Sequence, residues 1–224
     1  MNVIGDAWDW LTDGSNWTGS GGIWQRLTEH VLLTVGCLAI AAAIALPVAL
    51  WLGHIGKGGA LAVNISNIGR AVPTFAVLAL LGLSPLGMGT ASTVVALVLF
   101  AIPPVLTNAY VGMRGVDRDL VEASAGMGMS GSQTLWRVEL PLALPLVVTG
   151  LRTSAVQVVA TATLAALVAG GGLGRIVTAG FQLQDQGQVV AGAFLVAVLA
   201  LVVEGVFTVL QKIVARTPRQ GEGS

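Results

Sequence analysis

From Ala71 to Met113 the chain runs for 43 residues without a charged side chain. One crossing of a hydrocarbon core needs about 20 apolar residues, so this tract is too long for a single span and too apolar for a water-facing surface. It therefore reads as two membrane segments joined by a turn, and Ser84-Pro85-Leu86-Gly87-Met88-Gly89 supplies the turn residues. Composition agrees: 54% of the 224 residues are hydrophobic and 10% are charged, against about 25% charged in a typical soluble domain. This excludes an ordinary cytoplasmic enzyme, and also a nucleic-acid binder, which would need a basic face. Aromatics at 5% argue against a porin-type barrel with aromatic girdles. The single cysteine, Cys37, lies in an apolar run, so neither a disulfide nor a metal cluster is available. The expected fold is an all-α integral membrane protein.

Five spans are expected. Residues 31–52 are 22 uncharged positions, which as a helix would extend ~33 Å. The long tract gives a second span from near Ile65 to Leu83, with Arg70 snorkelling at its inner end. It gives a third over 90–113, where Pro103-Pro104 predicts a kink. A fourth covers about 142–168 and contains Arg152; a fifth covers 189–210 and contains Glu204. Residues 1–30 carry Asp6, Asp9 and Asp13 where a cleavable signal would be basic, so they do not read as a signal peptide. Trp8, Trp10, Trp17 and Trp24 suggest instead an extracytoplasmic segment at a lipid interface; a loosely ordered tail is the plain alternative. With the N-terminus outside, the inner side holds Lys57, Arg70, Arg114, Arg118, Arg137, Lys212, Arg216 and Arg219, and the outer side only Arg26 and Arg175. The positive-inside rule then places the N-terminus outside and the C-terminus in the cytoplasm. This gives an N-terminal segment 1–30, a membrane domain 31–212 with a cytoplasmic loop 114–141, and a polar tail 213–224.

The loop predicts two short helices. Asp117 can cap the first, and Gly126 or Gly128 can end it. Ser130 and Gln133 have the spacing of a capping box for the second, and Pro141 is expected to start the next membrane helix. A long connection that folds into its own helices usually docks a partner.

These residues resemble the EAA loop of permease subunits of binding-protein-dependent ABC importers, whose pattern is E-A-A, three residues, G, nine residues, I, one residue, L-P. Here Glu122-Ala123-Ser124, Gly128, Val138, Leu140 and Pro141 stand at that spacing, with Ser124 for alanine and Val138 for isoleucine. Three further stretches resemble the osmoprotectant (glycine betaine, carnitine, choline) branch. Arg70 to Leu78 is similar to its Q-T-I-P-S-L-A-L-L segment. Ile102 to Tyr110 is similar to L-P-I-L-R-N-T-Y, with Thr107 in place of the arginine. Gly150-Leu151-Arg152-Thr153 and residues 160–174 are similar to a G-I-R-T…G-T-A-T-L-A-A-L run that ends G-G-L-G. Methionine and amino-acid importers share the loop but not all three stretches.

The resemblance implies a type I importer permease fold in which the loop's coupling helix seats in a groove of a separate ATPase. Small Ala123, Ser124 and Gly128 would let two backbones approach, while Glu122 complements a helix N-terminus or meets a basic partner; alternatively Glu122 only solvates the loop. ATP and Mg would be bound by that partner, because Gly56-Lys57-Gly58 lacks the Ser or Thr of a phosphate loop and Gly170-Gly171-Gly172-Leu173-Gly174 lacks a lysine. Two ATPase subunits, a second permease subunit, same or similar, and an extracytoplasmic solute-binding protein are the implied partners, besides lipid. With no binding domain expected on this chain, selectivity would lie in the binding protein. Few aromatics stand in the spans to cage a quaternary ammonium, Phe75, Phe100, Tyr110, Phe194 and Phe207 among them.

Pro73, Thr74, Thr161 and Thr163 are candidates for the translocation path, with helix packing as the alternative. Arg152 and Glu204 fall at equal depth, ~12–15 Å from the inner surface, so an intramembrane ion pair is expected. His30 and His54 read as interfacial residues rather than ligands. The rival function classes are an ion-coupled secondary transporter, for which only Glu204 could serve and no internal repeat is visible, and a membrane scaffold. A closer rival is an amino-acid or methionine-type permease.

Overall fold

The computed structural model describes residues 2–60, 64–65 and 72–215. Its helices, in chain order, are α1 (Val3–Thr12), α2 (Ile23–His54), α3 (Thr74–Gly82), α4 (Thr90–Arg114), α5 (Arg118–Gly126), α6 (Gly131–Thr134), α7 (Leu140–Ala165), α8 (Gly174–Leu183) and α9 (Gln186–Ala215). Among the described residues there is no strand. Four helical stretches are long and apolar enough to cross a membrane: Ile23–His54, Thr90–Arg114, Gly131–Val168 and Gln186–Val214. They correspond to the first, third, fourth and fifth expected spans. The second is represented by the nine residues of α3; Arg70 and the rest of its expected start, Ile65 apart, lie outside the described residues, as do Arg216 and Arg219.

The long helices α2 and α4 end side by side, where Gly53 meets Met113, and α9 runs back along α7, with Gln211 beside Thr149 and Glu204 beside Arg152. α4 packs most extensively on α7 and then on α2, while α9 lies against α7 and also carries α1 and α8. One end of the bundle therefore gathers α1, α8 and the 169–173 turn, and the opposite end gathers α5 and α6.

Small residues make these contacts close. Along the middle of α2 the buried positions are His30, Thr34, Cys37, Ala41, Ala45 and Ala49, spaced three or four apart on one face, with Ile23, Leu52 and Gly53 buried at its ends, whereas Leu32, Val35, Ile40, Ile44 and Val48 are exposed. Large apolar side chains outside and small ones inside suit a helix solvated by lipid, where association depends on close van der Waals packing. Three glycines show how close. A Cβ on Gly53 would stand 2.4 Å from Met113 Cβ, one on Gly112 would stand 3.0 Å from the Ala143 carbonyl oxygen, and one on Gly150 would stand 2.9 Å from the Pro104 carbonyl oxygen.

Two helix boundaries differ from the expectation. α2 begins at Ile23 rather than at the start of the uncharged run, because Arg26 and Glu29 pair at 2.9 Å one turn apart and so remain helical. Pro141 stands in the first turn of α7, as expected, but the helical path is already running before it. The stretch Leu135–Glu139 is π-helical, and the Leu140 N–H bonds to the Leu135 carbonyl, five residues back. The wider turn brings the chain past a proline that has no N–H to offer, so α6 and α7 form one continuous helix. The proline pair Pro103-Pro104 also lies within a continuous α4. In the turn before it, the buried Ser154 hydroxyl of α7 donates to the Ala101 carbonyl at 2.9 Å.

Candidate functional site

Local sequence sets the loop's geometry. Asp117 caps α5 by accepting from the Asp119 N–H. After Gly126 the chain turns back: the Met129 N–H reaches the Ser124 carbonyl at 3.1 Å, with Gly128 at φ +84°, a left-handed position that glycine adopts without a Cβ penalty. Ser130 and Gln133 then form a reciprocal capping box that starts α6. The result is a helical hairpin held to the bundle by Met113, Val116 and Ala143, with Leu50, Val121 and Leu135 packed around them.

The motif residues do not all face one way. Glu122, Ala123, Gly128 and Pro141 are exposed, and Val138 and Leu140 are half-buried. Ser124, expected on the contact surface, is 2% exposed. It stands about 200° around the helix from Glu122, with its hydroxyl on the Val121 carbonyl at 2.7 Å and 3.4 Å from Thr134 Oγ1 of α6. Its role is to join the two loop helices. Glu122 likewise sits in mid-helix, and the acidic residue of the first turn is Asp119. The outward surface is completed by Leu120 and by Met127, which is 77% exposed.

Behind this hairpin lies a charged cluster absent from the sequence reading. Glu139, at the foot of α7, is 0% exposed. Its Oε2 bonds to His54 Nδ1 at the end of α2, and Arg118 Nη1, at the start of α5, stands 3.7 Å from Oε1. His54 is thus a buried-pair partner rather than a free interfacial residue. The signal in sequence is Glu139 itself, a carboxylate two residues before the proline at the head of a membrane span.

The structure brings Arg152 and Glu204 together. Arg152 Nη2 donates to Glu204 Oε1 and Nη1 to Gln211 Oε1 at 2.9 Å; Gln211 Nε2 donates in turn to Thr149 Oγ1 at 2.9 Å. Gln211 and Thr149 were not singled out, although Gln211 follows Glu204 by two helical turns and so shares its face.

The four path candidates are not gathered at one cavity. Pro73 caps the start of α3, while Thr161 is buried near the far end of α7 and Thr163 Oγ1 lies 3.4 Å from the Val159 carbonyl. None of the four lines either of two surface cavities. One, of about 430 Å³, lies among Trp10, Asn16, Arg26, Arg175 and Gln188; the other, of about 600 Å³, lies beside Glu29, Cys37, Val94 and Gly171. His30 also departs from expectation. With α2 starting at Ile23 it lies two turns inside the helix, fully buried, its Nδ1 accepting from the Leu173 N–H at 3.2 Å and its Nε2 3.0 Å from the Val159 carbonyl. Glu29 accepts from the Gly172 N–H at 3.0 Å. These two residues fix the glycine-rich turn, which passes too close to His30 for a side chain at Gly172.

Comparison with known proteins gives the architecture a context. Residues 20–218 match the family described as binding-protein-dependent transport system inner membrane component. The chain is 32% identical, over 91% of its length and 94% of the relative's, to the glycine betaine/carnitine/choline transport system permease protein OpuCB of Bacillus subtilis. It is 33% identical, over 87% of its length and 89% of the relative's, to that organism's choline transport system permease protein OpuBB. Its fold is similar to a chain of the MetNI methionine ABC transporter in an inward-facing conformation, with a TM-score of 0.73 and 23% identity over 87% of this chain and 96% of that one. The all-α bundle with long apolar helices is thus that of a multi-pass membrane transport subunit. By the extent of the family match and of the similarity to its permeases, this chain belongs to the inner membrane components of binding-protein-dependent transport systems.

Proposed function

We propose that this chain provides the membrane path for a quaternary-ammonium compatible solute, such as glycine betaine, choline or carnitine, in an importer driven by ATP hydrolysis on a separate subunit. The observation that carries the coupling half of this reading is the α5–α6 hairpin. It is capped at both helices, locked from behind by Ser124 and Thr134, and leaves Glu122, Ala123 and Gly128 on its outward surface. A rigid projection with a low-profile face suits a groove on a partner protein. The substrate class rests on the named substrates of relatives at 32–33% identity. Likeness to a methionine transporter at 23% identity speaks to fold alone.

In this reading the N-terminus is outside and the hairpin cytoplasmic, following the distribution of Lys and Arg. Two such chains, the same or similar, enclose one path, two ATPase subunits bearing ATP and Mg engage the hairpins, and an external binding protein delivers the solute. Closure of the ATPases on ATP pushes the hairpins and opens the path outward; hydrolysis returns it inward. Pro73, Thr74, Thr161 and Thr163 remain candidates for its lining.

The test is uptake by the complex reconstituted with its ATPase and binding protein. Labelled glycine betaine, choline or carnitine should accumulate with ATP, and methionine should not. Gly128→Asp places a charged side chain on the outward face at a position of positive φ, so the subunit should insert in the membrane while ATP-driven uptake is abolished. Normal uptake by that variant, or uptake by the purified subunit alone, would overturn the reading.

A further inference from the structure

The geometry points to Glu139 as a positioning residue, the joint through which displacement of the α5–α6 hairpin reaches helix α2. This rests on the reading of the hairpin as an ATPase contact, and it goes further by naming where the motion enters the bundle.

Three elements meet at one carboxylate. His54 ends α2, Arg118 begins α5, and Glu139 closes the π-helical stretch between α6 and α7. Glu139 is fully buried, yet only one of its oxygens is hydrogen-bonded: Oε2 bonds to His54, while Oε1 has no hydrogen-bond partner among the described residues. Arg118 supplies the matching vacancy. Its Nη2 is buried without a hydrogen-bond partner, and its Nη1 is 3.7 Å from Oε1, within ion-pair range but beyond hydrogen-bond length. A buried carboxylate with an unused oxygen, next to a guanidinium with an unused N–H, is costly as it stands and is relieved by a shift of less than 1 Å.

That shift is available. The two hairpin helices are joined where Ser124 meets Thr134, and the hairpin is rooted through a π-helical turn, a form of helix frequent at functional sites. A push on α5 toward Glu139 completes the Arg118 bond and draws on the His54 bond. His54 is the last residue of the 32-residue α2, so the same carboxylate passes the displacement to a helix that spans the whole bundle. One buried carboxylate, bonded to His54 on one oxygen and with the Arg118 bond made or unmade on the other, has the two arrangements that coupling requires.

The experiment uses the reconstituted complex and measures three quantities: attachment of the ATPase subunit, ATP hydrolysis, and solute accumulated per ATP hydrolysed. Glu139→Gln keeps the side chain's size and removes its charge. The expected result is normal attachment and ATP hydrolysis within about twofold of the unaltered complex, with solute per ATP lowered by about fivefold or more. His54→Gln, at a partly exposed position, should lower the same ratio and is the readout if Glu139→Gln does not insert; Glu139→Asp should restore part of it. An unchanged ratio in the variant that inserts overturns the inference, and so does loss of ATPase attachment, which would make Glu139 a docking residue. Failure of the underlying reading is distinguishable, because it appears as solute movement by the unaltered subunit without any ATPase.

Discussion

Among the described residues two charged clusters join helices, and they are built in opposite ways. Arg152 and Glu204 stand on the flank of α7 and α9, with side chains 30% and 37% exposed. Arg152 reaches both Glu204 and Gln211, Gln211 reaches Thr149, and none of the four has a buried polar atom without a partner. At the loop end, Glu139 is sealed from solvent and only half satisfied, with His54 bonded to one oxygen and Arg118 standing off the other. A satisfied network holds two helices at a fixed offset. A buried group with one bond unmade has somewhere to go. The difference separates a brace from a joint, and it places the joint beside the hairpin that faces the proposed ATPase.

Removing partners one side at a time tests that contrast. The largest effect is expected from His54→Ala combined with Arg118→Ala, which strands a buried carboxylate and should cost about 3–5 kcal/mol of stability, read as thermal unfolding of the purified subunit. Adding Glu139→Gln to that pair should recover a large part of the loss; no recovery would mean that the three groups do not interact. A smaller effect is expected at the brace. Glu204→Gln leaves Arg152 without its anion and should lower purified yield, and adding Arg152→Gln should restore some of it, whereas equal yields would reject the pairing. Smallest of all, Gln211→Leu should leave yield near that of the unaltered chain, because the ion pair itself remains.

The contrast also marks what was legible in the sequence. Uncharged tracts and turn residues give the long helices, since length and hydropathy decide what a bilayer accepts. Asp117, Ser130 and Gln133 give the hairpin, because capping acts within three residues. Arg152 and Glu204 could be paired from their depth alone. Glu139 and His54 could not, because they are 85 residues apart and meet through packing of helix ends. Ser124 is buried where the spacing pattern puts it on the contact surface, because such a pattern records which residues recur, not which side of a short helix faces the bundle. Pro141 marks the first turn of α7, where a lost N–H is tolerated, but a proline cannot reveal that the five-residue hydrogen bond just before it joins α7 to α6.

The hairpin's orientation allows the most direct test of its proposed role. Ala123 is exposed and Ser124, its neighbour, is buried against Thr134. Single cysteines at the two positions, with Cys37 replaced by serine, should behave differently in the assembled complex: Ala123→Cys should crosslink to the ATPase subunit, and Ser124→Cys should not. Equal crosslinking at both positions, or none at Ala123, would contradict the account.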